Sequence, residues 1–316
     1  MGHGLQRSYL LALLQELAAS DLPNAPTLLL GCEEPELYQH PPQARHLSDV
    51  LQELTNGNNQ VLVTTHSPFF VSGKGFENTR VVQGGSMQTG SKVKSLTYAN
   101  LADRIRVAKD EQANKPIEGL ISKIHQALQP GISEMFFSRV PILVEGLEDV
   151  AYITTEMHLA GLWSEFRQLG CHLIPVNGKD KLIQPLAIAM EFRIPVFVVF
   201  DADSDAENKY LPMHLKDNQV LIKLLDVSYE AFPAEDIILN NHAIWHTNLT
   251  AVVKADFGEY YSQLADIVRV RYPGEKRLEK HGLFIADLLA EGREKGHSSA
   301  ALGLLCETIL KFARSL

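Results

Sequence analysis

The sequence predicts a two-domain α/β protein. Strand-like and helix-like apolar periodicities alternate over residues 5–66 and again over 140–200, the pattern of parallel sheets whose strands are joined through helices. The 316 residues suffice for two cores of ordinary size. In both stretches, apolar strands run straight into carboxylates: "TLLLGCEEPE", "VPILVEGLED" and "VFVVFDADSD". The expected division is a first domain over 1–97, a helical connector over 98–138 and a second domain over 139–316.

The elements follow in order. "LQRSYLLALLQELAAS" has a helical apolar period, "TLLLGC" reads as a short buried strand, "PQARHLSDVLQELTNG" as a helix ending at Gly57, and "QVLVTTH" as the next strand. "TRVVQGG" and "KVKSLT" read as an edge hairpin turning through "GGSMQTGS". From about Tyr98 to Ser138 the chain is helical and charged, with breaks at Pro116 and Pro130. Strands are then expected at 140–144, 172–176 and 195–200, with helices at about 146–160 and 180–191 between them, a doubly wound unit. "HAIWHT" adds a possible strand, and two or three helices finish the chain.

Composition narrows the function. A hydrophobic fraction of 45% with 21% charged residues is that of a globular protein, and no apolar run reaches the roughly 18–20 residues that span a bilayer. A cytoplasmic location is expected, since Cys32, Cys171 and Cys306 are too scattered for a disulfide framework or a zinc site. A net charge of −9 disfavours a surface that attracts nucleic acid everywhere. A local basic channel remains open, and "VRVRYPGEKRLEKH" supplies Arg269, Arg271, Lys276, Arg277 and Lys280 for it. The alternative for this segment is a plain solvated face.

Glu33 and Glu34 follow one apolar strand, and His66 follows the next. In a nucleotide-hydrolysing site the first carboxylate can hold the magnesium shell, the second can polarise the attacking water, and the histidine can reach the γ-phosphate. An acidic loop entering a helix is the alternative. No phosphate-cradling Gly-x4-Gly-Lys-Ser/Thr accompanies them; "GSMQTGSK" at 85–92 has Ser91 where the lysine belongs.

The second constellation gathers Glu145, Asp149, Asp201, Asp203 and Asp205. In open α/β sheets ligands collect outside the carboxyl ends of the strands. Carboxylates converging there repel one another unless a cation lies between them, and oxygen-only ligands favour Mg²⁺ or Mn²⁺ over zinc. Glycine at 146 is expected to let the chain turn sharply, with Asp149 one helical turn beyond Glu145. Helix-start charges and a turn-forming Asp/Ser cluster are the alternatives.

Glu-Gly after one strand and Asp-x-Asp after a later one resemble the TOPRIM domain. Glu33-Glu34, a D-loop at Glu36–Pro41, His66 and a variant signature segment "GHGLQRS" at 2–8 resemble the C-terminal half of an ABC-type ATPase head. Joined in this order, the two resemble the OLD (overcoming lysogenization defect) family of nucleases. The resemblance implies a metal-dependent DNA nuclease linked to ATP, with the phosphate-cradling half of the ATPase outside these residues or, as the alternative, a degenerate, non-hydrolysing head, no ATP turnover by this chain alone, and a homodimer formed through the ATPase part. It implies two ions, Glu145 and Asp149 serving one and Asp201 and Asp203 the other. Glu235 and Asp236 are further candidate ligands, whereas the acidic residue expected near Thr250 is missing. Lys179 in "VNGKDKL" is expected to approach a phosphate, and Lys295, before a late helix, to stabilise charge in cleavage, with Lys311 second. Two rival readings are a non-catalytic ATP-gated DNA clamp or repair scaffold, and a topoisomerase or primase relative.

Overall fold

The computed structural model describes residues 27–316 except 57, 74, 85–89, 112–117 and 276–277, and before them only 6, 9, 12, 13 and 16. Most of the signature-like segment, most of the first predicted helix, the centre of the predicted "GGSMQTGS" turn and the candidate DNA contacts Lys276 and Arg277 lie outside the described residues. The chain forms two compact units, Met1–Ser72 and Gly73–Leu316.

In the first unit β1 (Leu29–Glu33) and β2 (Gln60–Thr64) pair in parallel, in register from Leu29↔Gln60 to Glu33↔Thr64. The link between them contains α1 (Pro41–Glu53), which begins with two prolines where their missing N–H groups cost nothing. Its apolar positions recur at helical spacing, so Ala44, Leu47, Val50 and Leu51 are buried. Leu30, Cys32, Val61, Val63 and Phe70 pack against Leu47, Leu51 and Leu54.

The second unit opens with an antiparallel hairpin, β3 (Val81–Gln83) and β4 (Lys92–Lys94). Next come α2 (Tyr98–Ala108), α3 (Glu118–Ala127) and the single turn α4 (Pro130–Ser133). The doubly wound part is β5 (Val140–Val144), α5 (Leu147–Leu159), α6 (Trp163–Gln168), β6 (Cys171–Pro175), α7 (Ile183–Phe192) and β7 (Phe197–Asp201). Helix α8 (Leu211–Leu224), β8 (Ile237–Leu239) and β9 (His242–Trp245) follow. Four helices end the chain: α9 (Leu249–Phe257), α10 (Tyr260–Arg269), α11 (Gly282–Glu294) and α12 (Ala300–Arg314). Among the described residues no helix is long and apolar enough to cross a membrane.

The sheet order is β6-β5-β7-β9-β8, parallel except for β8. Its central strands are buried on both faces, which explains their nearly unbroken apolar runs. Val140, Ile142 and Val144 of β5, Phe197 and Val199 of β7, and Trp245 of β9 face one core with α5 and α9–α12. Leu143, Val198, Phe200 and Ile244 face the other with α7 and α8.

That second core also takes Phe76, Leu96, Leu101, Ile105 and Ile124. Residues 98–138 are therefore not a detached connector. Leu101, Ile105 and Ala108 repeat at helical spacing on α2, and such a stripe has to be buried somewhere. The hairpin likewise falls in the second unit, so the units part at Ser72/Gly73 rather than at residue 97.

Helix α11 lies along α5 in the same direction: a Cβ on Gly282 would sit 3.5 Å from that of Ala151, while Arg293 pairs with Glu156 at 2.5 Å at the other end. Near that end the helix passes so close to α9 that a Cβ on Gly292 would stand 2.4 Å from the Phe257 ring. In an open helix Gly→Ala gains about 1 kcal/mol. Here overpacking, typically ~1–3 kcal/mol, outweighs that gain, so Gly292→Ala is expected to lower the urea midpoint of unfolding. An unchanged or raised midpoint would contradict the packing.

Candidate active site

The strand order places one crevice. The chain leaves β5 towards β6 on one side and returns through β7 on the other, so the carboxyl ends of β5 and β7 flank the topological switch point. Glu145 follows β5 and Asp201 ends β7. The Asp201 N–H donates to Glu145 Oε1 at 2.8 Å. Asp149, in the first turn of α5, accepts from the Gly146 N–H through Oδ2 at 2.9 Å. The first N–H of α9, that of Leu249, donates to Asp201 Oδ1 at 3.1 Å, so a helix N-terminus faces this carboxylate.

The loop after β6 closes the crevice. Gly178 takes φ +128°, which side-chain-bearing residues rarely adopt, and its N–H donates to the Glu145 carbonyl at 2.9 Å. That turn sends Lys179 inward: its side chain is 5% exposed, and its ammonium lies 2.6 Å from Asp203 Oδ2. Asp203 itself sits in the left-handed region at φ 54°, which aspartate tolerates. His214 of α8, which no sequence motif singles out, brings Nδ1 to 3.1 Å from the same oxygen. Gly146, by contrast, is extended at φ −148° and ψ −179°. The expected sharp glycine turn is absent; what a Cβ would meet there is the movable Glu148 carboxylate.

Burial dominates the electrostatics. It pushes Glu145 up to about 8, against the nearby Lys179 charge, with Asp149 and Asp203 adding to the rise. Burial likewise raises Asp149 to about 6, against the Gly146 N–H. Asp201 is held well above the ordinary carboxylate range by burial first and then by Glu145, Asp149 and Asp203. These four carboxylates therefore feel one another across one crevice.

Other predicted residues fall elsewhere. Asp205 and Glu235 are exposed. Asp236, not Glu235, is tied to the sheet end, accepting from the His246 N–H at 2.7 Å. Lys295 caps the far end of α11 and pairs with Glu291 at 3.4 Å. Since α11 and α5 run the same way, 13 residues at ~1.5 Å rise put it roughly 20 Å from the carboxylate end. The lysine at the near end is Lys280, 3.5 Å from Glu148. Arg269 pairs with Asp266, and Arg271 with Asp287 and Glu291, so their charges are largely answered locally. Lys179 is buried rather than a surface phosphate contact. A cavity of about 610 Å³ between α8 and the loop at 227–232 includes none of the predicted residues.

In the first unit Glu34 lies 3.5 Å from His66. Glu36 accepts from Thr65 Oγ1 at 2.6 Å and from the His66 N–H at 3.1 Å, while Glu33, at the end of β1, is exposed.

The crevice donors suit a divalent cation unequally. Among the described residues, no three His, Cys, Asp or Glu side chains already stand in metal-ligating geometry. The chemistry of the crevice nevertheless fits a hard cation: Glu145, Asp149 and Asp201 offer only oxygen, and each has one oxygen fixed by a backbone N–H. Asp203 fits less well because its Oδ2 is engaged by Lys179 and His214.

Raised carboxylates make a pH prediction. Folding lifts Glu145 from its ordinary 4.5 to about 8, so across that window the folded state binds more protons than the unfolded chain, and metal-free stability falls as pH rises. Glu145→Gln is therefore expected to raise the Tm of the metal-free protein at pH 8 and to change it little near pH 4.5. Equal shifts at both pH values would refute this.

Comparison with known proteins agrees with the two-part reading. Residues 1–71 match the AAA ATPase domain family, and residues 136–203 match the overcoming lysogenization defect protein-like TOPRIM domain family. Old nuclease of Escherichia phage P2 is 25% identical over 282 residues, covering 81% of this chain and 42% of that protein. Endonuclease GajA of Bacillus cereus (strain HuB5-5) is 24% identical over 202 residues, covering 58% and 27%. The chain thus spans less than half the length of these curated relatives. Among solved structures, the C-terminal region of the Xanthomonas campestris pv. campestris OLD protein aligns at TM-score 0.39 and 16% identity, over 57% of this chain and 98% of that one. An AAA ATPase match thus stands ahead of an OLD-like TOPRIM match, and in that order the chain is similar to OLD-family nucleases.

Proposed function

We propose that this chain is a divalent-metal-dependent nuclease that hydrolyses phosphodiester bonds of DNA at the β5–β7 crevice. The observation that carries the reading is the Glu145–Asp201 contact at the switch point, where two strand-end carboxylates meet under a shared burden of burial and repulsion. Glu145, Asp149 and Asp201 would hold Mg²⁺ or Mn²⁺. When bound, such a cation supplies Lewis-acid stabilisation of phosphoryl oxygens.

The chain's own groups do the rest. Backbone N–H groups of Gly146, Asp201 and Leu249 orient the carboxylates before any cation arrives, which lowers the reorganisation cost of reaction. Lys280, at the rim beside Glu148, takes the role expected of Lys295: a positive charge facing the scissile phosphate. The AAA ATPase match supports ATP as a ligand of the first unit and pairing of two copies through it. Glu34 and His66, 3.5 Å apart, are suited to face a γ-phosphate.

Supercoiled plasmid incubated with the chain and Mg²⁺ or Mn²⁺ should be nicked or degraded, with EDTA stopping the reaction. Glu145→Gln and Asp201→Asn are each expected to cost at least the ~10–100-fold that loss of an outer-shell partner costs a metal site. Lys280→Ala is expected to slow cleavage with metal affinity unchanged, and Lys295→Ala to cut like the wild type. Cleavage that persists in both carboxylate variants would remove the crevice as the active site, and a wild type that cuts no DNA with either ion would leave the non-catalytic clamp as the better account of the fold.

A further inference from the structure

The Asp203 carboxylate is occupied from within the protein. Lys179 reaches it at 2.6 Å and His214 at 3.1 Å, both on Oδ2. Lys179 is buried, and its ammonium has no hydrogen bond of good geometry, so it is held in the cluster by charge. Its placement is built in, since Gly178 at φ +128° turns the chain and ties its N–H to the Glu145 carbonyl. Of the other candidate ligands, position 250 is threonine, Asp205 and Glu235 are exposed, and Asp236 has one oxygen taken by the His246 N–H at 2.7 Å.

We infer that this crevice holds one divalent cation, on Glu145, Asp149 and Asp201, and that the Lys179 ammonium, fixed on Asp203 beside His214, stands where a second cation would. This rests on the nuclease reading above but departs from the two-ion arrangement that the sequence resemblance implies. Lys179 is then a positioning residue: it compensates Asp203 and repels the bound cation, without touching DNA.

Mn²⁺ binding to the full chain, counted by isothermal titration with free Mn²⁺ followed by EPR, tests this without cleavage. The expected stoichiometry is one ion per chain, lost in Asp201→Asn. Asp203→Asn should keep one ion, with affinity changed by no more than the roughly tenfold of a residue outside the ligand set. Lys179→Met removes a positive charge next to the ion, so Mn²⁺ should bind about tenfold tighter or more; a merely structural lysine would leave affinity unchanged or weaken it. Circular dichroism checks that each variant folds. Two ions on the wild type, loss of the ion in Asp203→Asn, or unchanged or weaker binding in folded Lys179→Met overturns the inference while leaving the nuclease reading intact. No Mn²⁺ on the wild type overturns both.

Discussion

Everything in the second unit turns on keeping several carboxylates together at one sheet end. Glu145, Asp149 and Asp201 are drawn into low-dielectric surroundings where each raises the others' cost of ionisation. Left to themselves such groups would move apart or remain protonated. They stay because each has one oxygen on a backbone amide, and amides belong to the strands and helices rather than to movable side chains. The repulsion is thereby stored in the fold.

Storing it requires a rigid support, and the two-sided core supplies one. β5, β7 and β9 are clamped between α5 with α9–α12 on one face and α2, α3, α7 and α8 on the other. Fully buried Asn218 extends this support into the site loop: its side-chain amide donates to the Ala202 carbonyl at 2.9 Å and to the Ala231 carbonyl at 2.8 Å. Ala202 lies between Asp201 and Asp203, so α8 fixes the spacing of the two aspartates with one side chain and offers His214 to the second. Loss of such a buried bridge leaves carbonyls unsatisfied at about 1–3 kcal/mol each.

The two units treat their acids differently. Where the second unit buries its carboxylates, the first leaves Glu33 exposed and Glu34 half-buried beside a solvent-facing His66. The ordered element there is Glu36, which ties the turn after β1 to Thr65 and His66 after β2. A carboxylate used in this way registers two loops against each other.

The strands and their terminal acids were legible because doubly buried strands read as continuous apolar runs, and Glu145 and Asp201 each break one. What the sequence hid depends on direction and burial. Lys295 and Lys280 lie at opposite ends of one helix region, and only the parallel run of α11 along α5 decides which end meets the carboxylates. A helix period says nothing about that direction. Lys179 reads as a phosphate contact until Gly178 turns it inward, and His214 is a lone histidine on a helix whose register against the site loop is set by buried Asn218. The domain boundary misled for the same reason: a charged helical stretch resembles a linker unless its apolar stripe, Leu101 and Ile105, is traced to the sheet face it covers. Strand ends announce chemistry because they interrupt an apolar pattern, whereas the residues that tune this chemistry arrive from elements whose own patterns are unbroken.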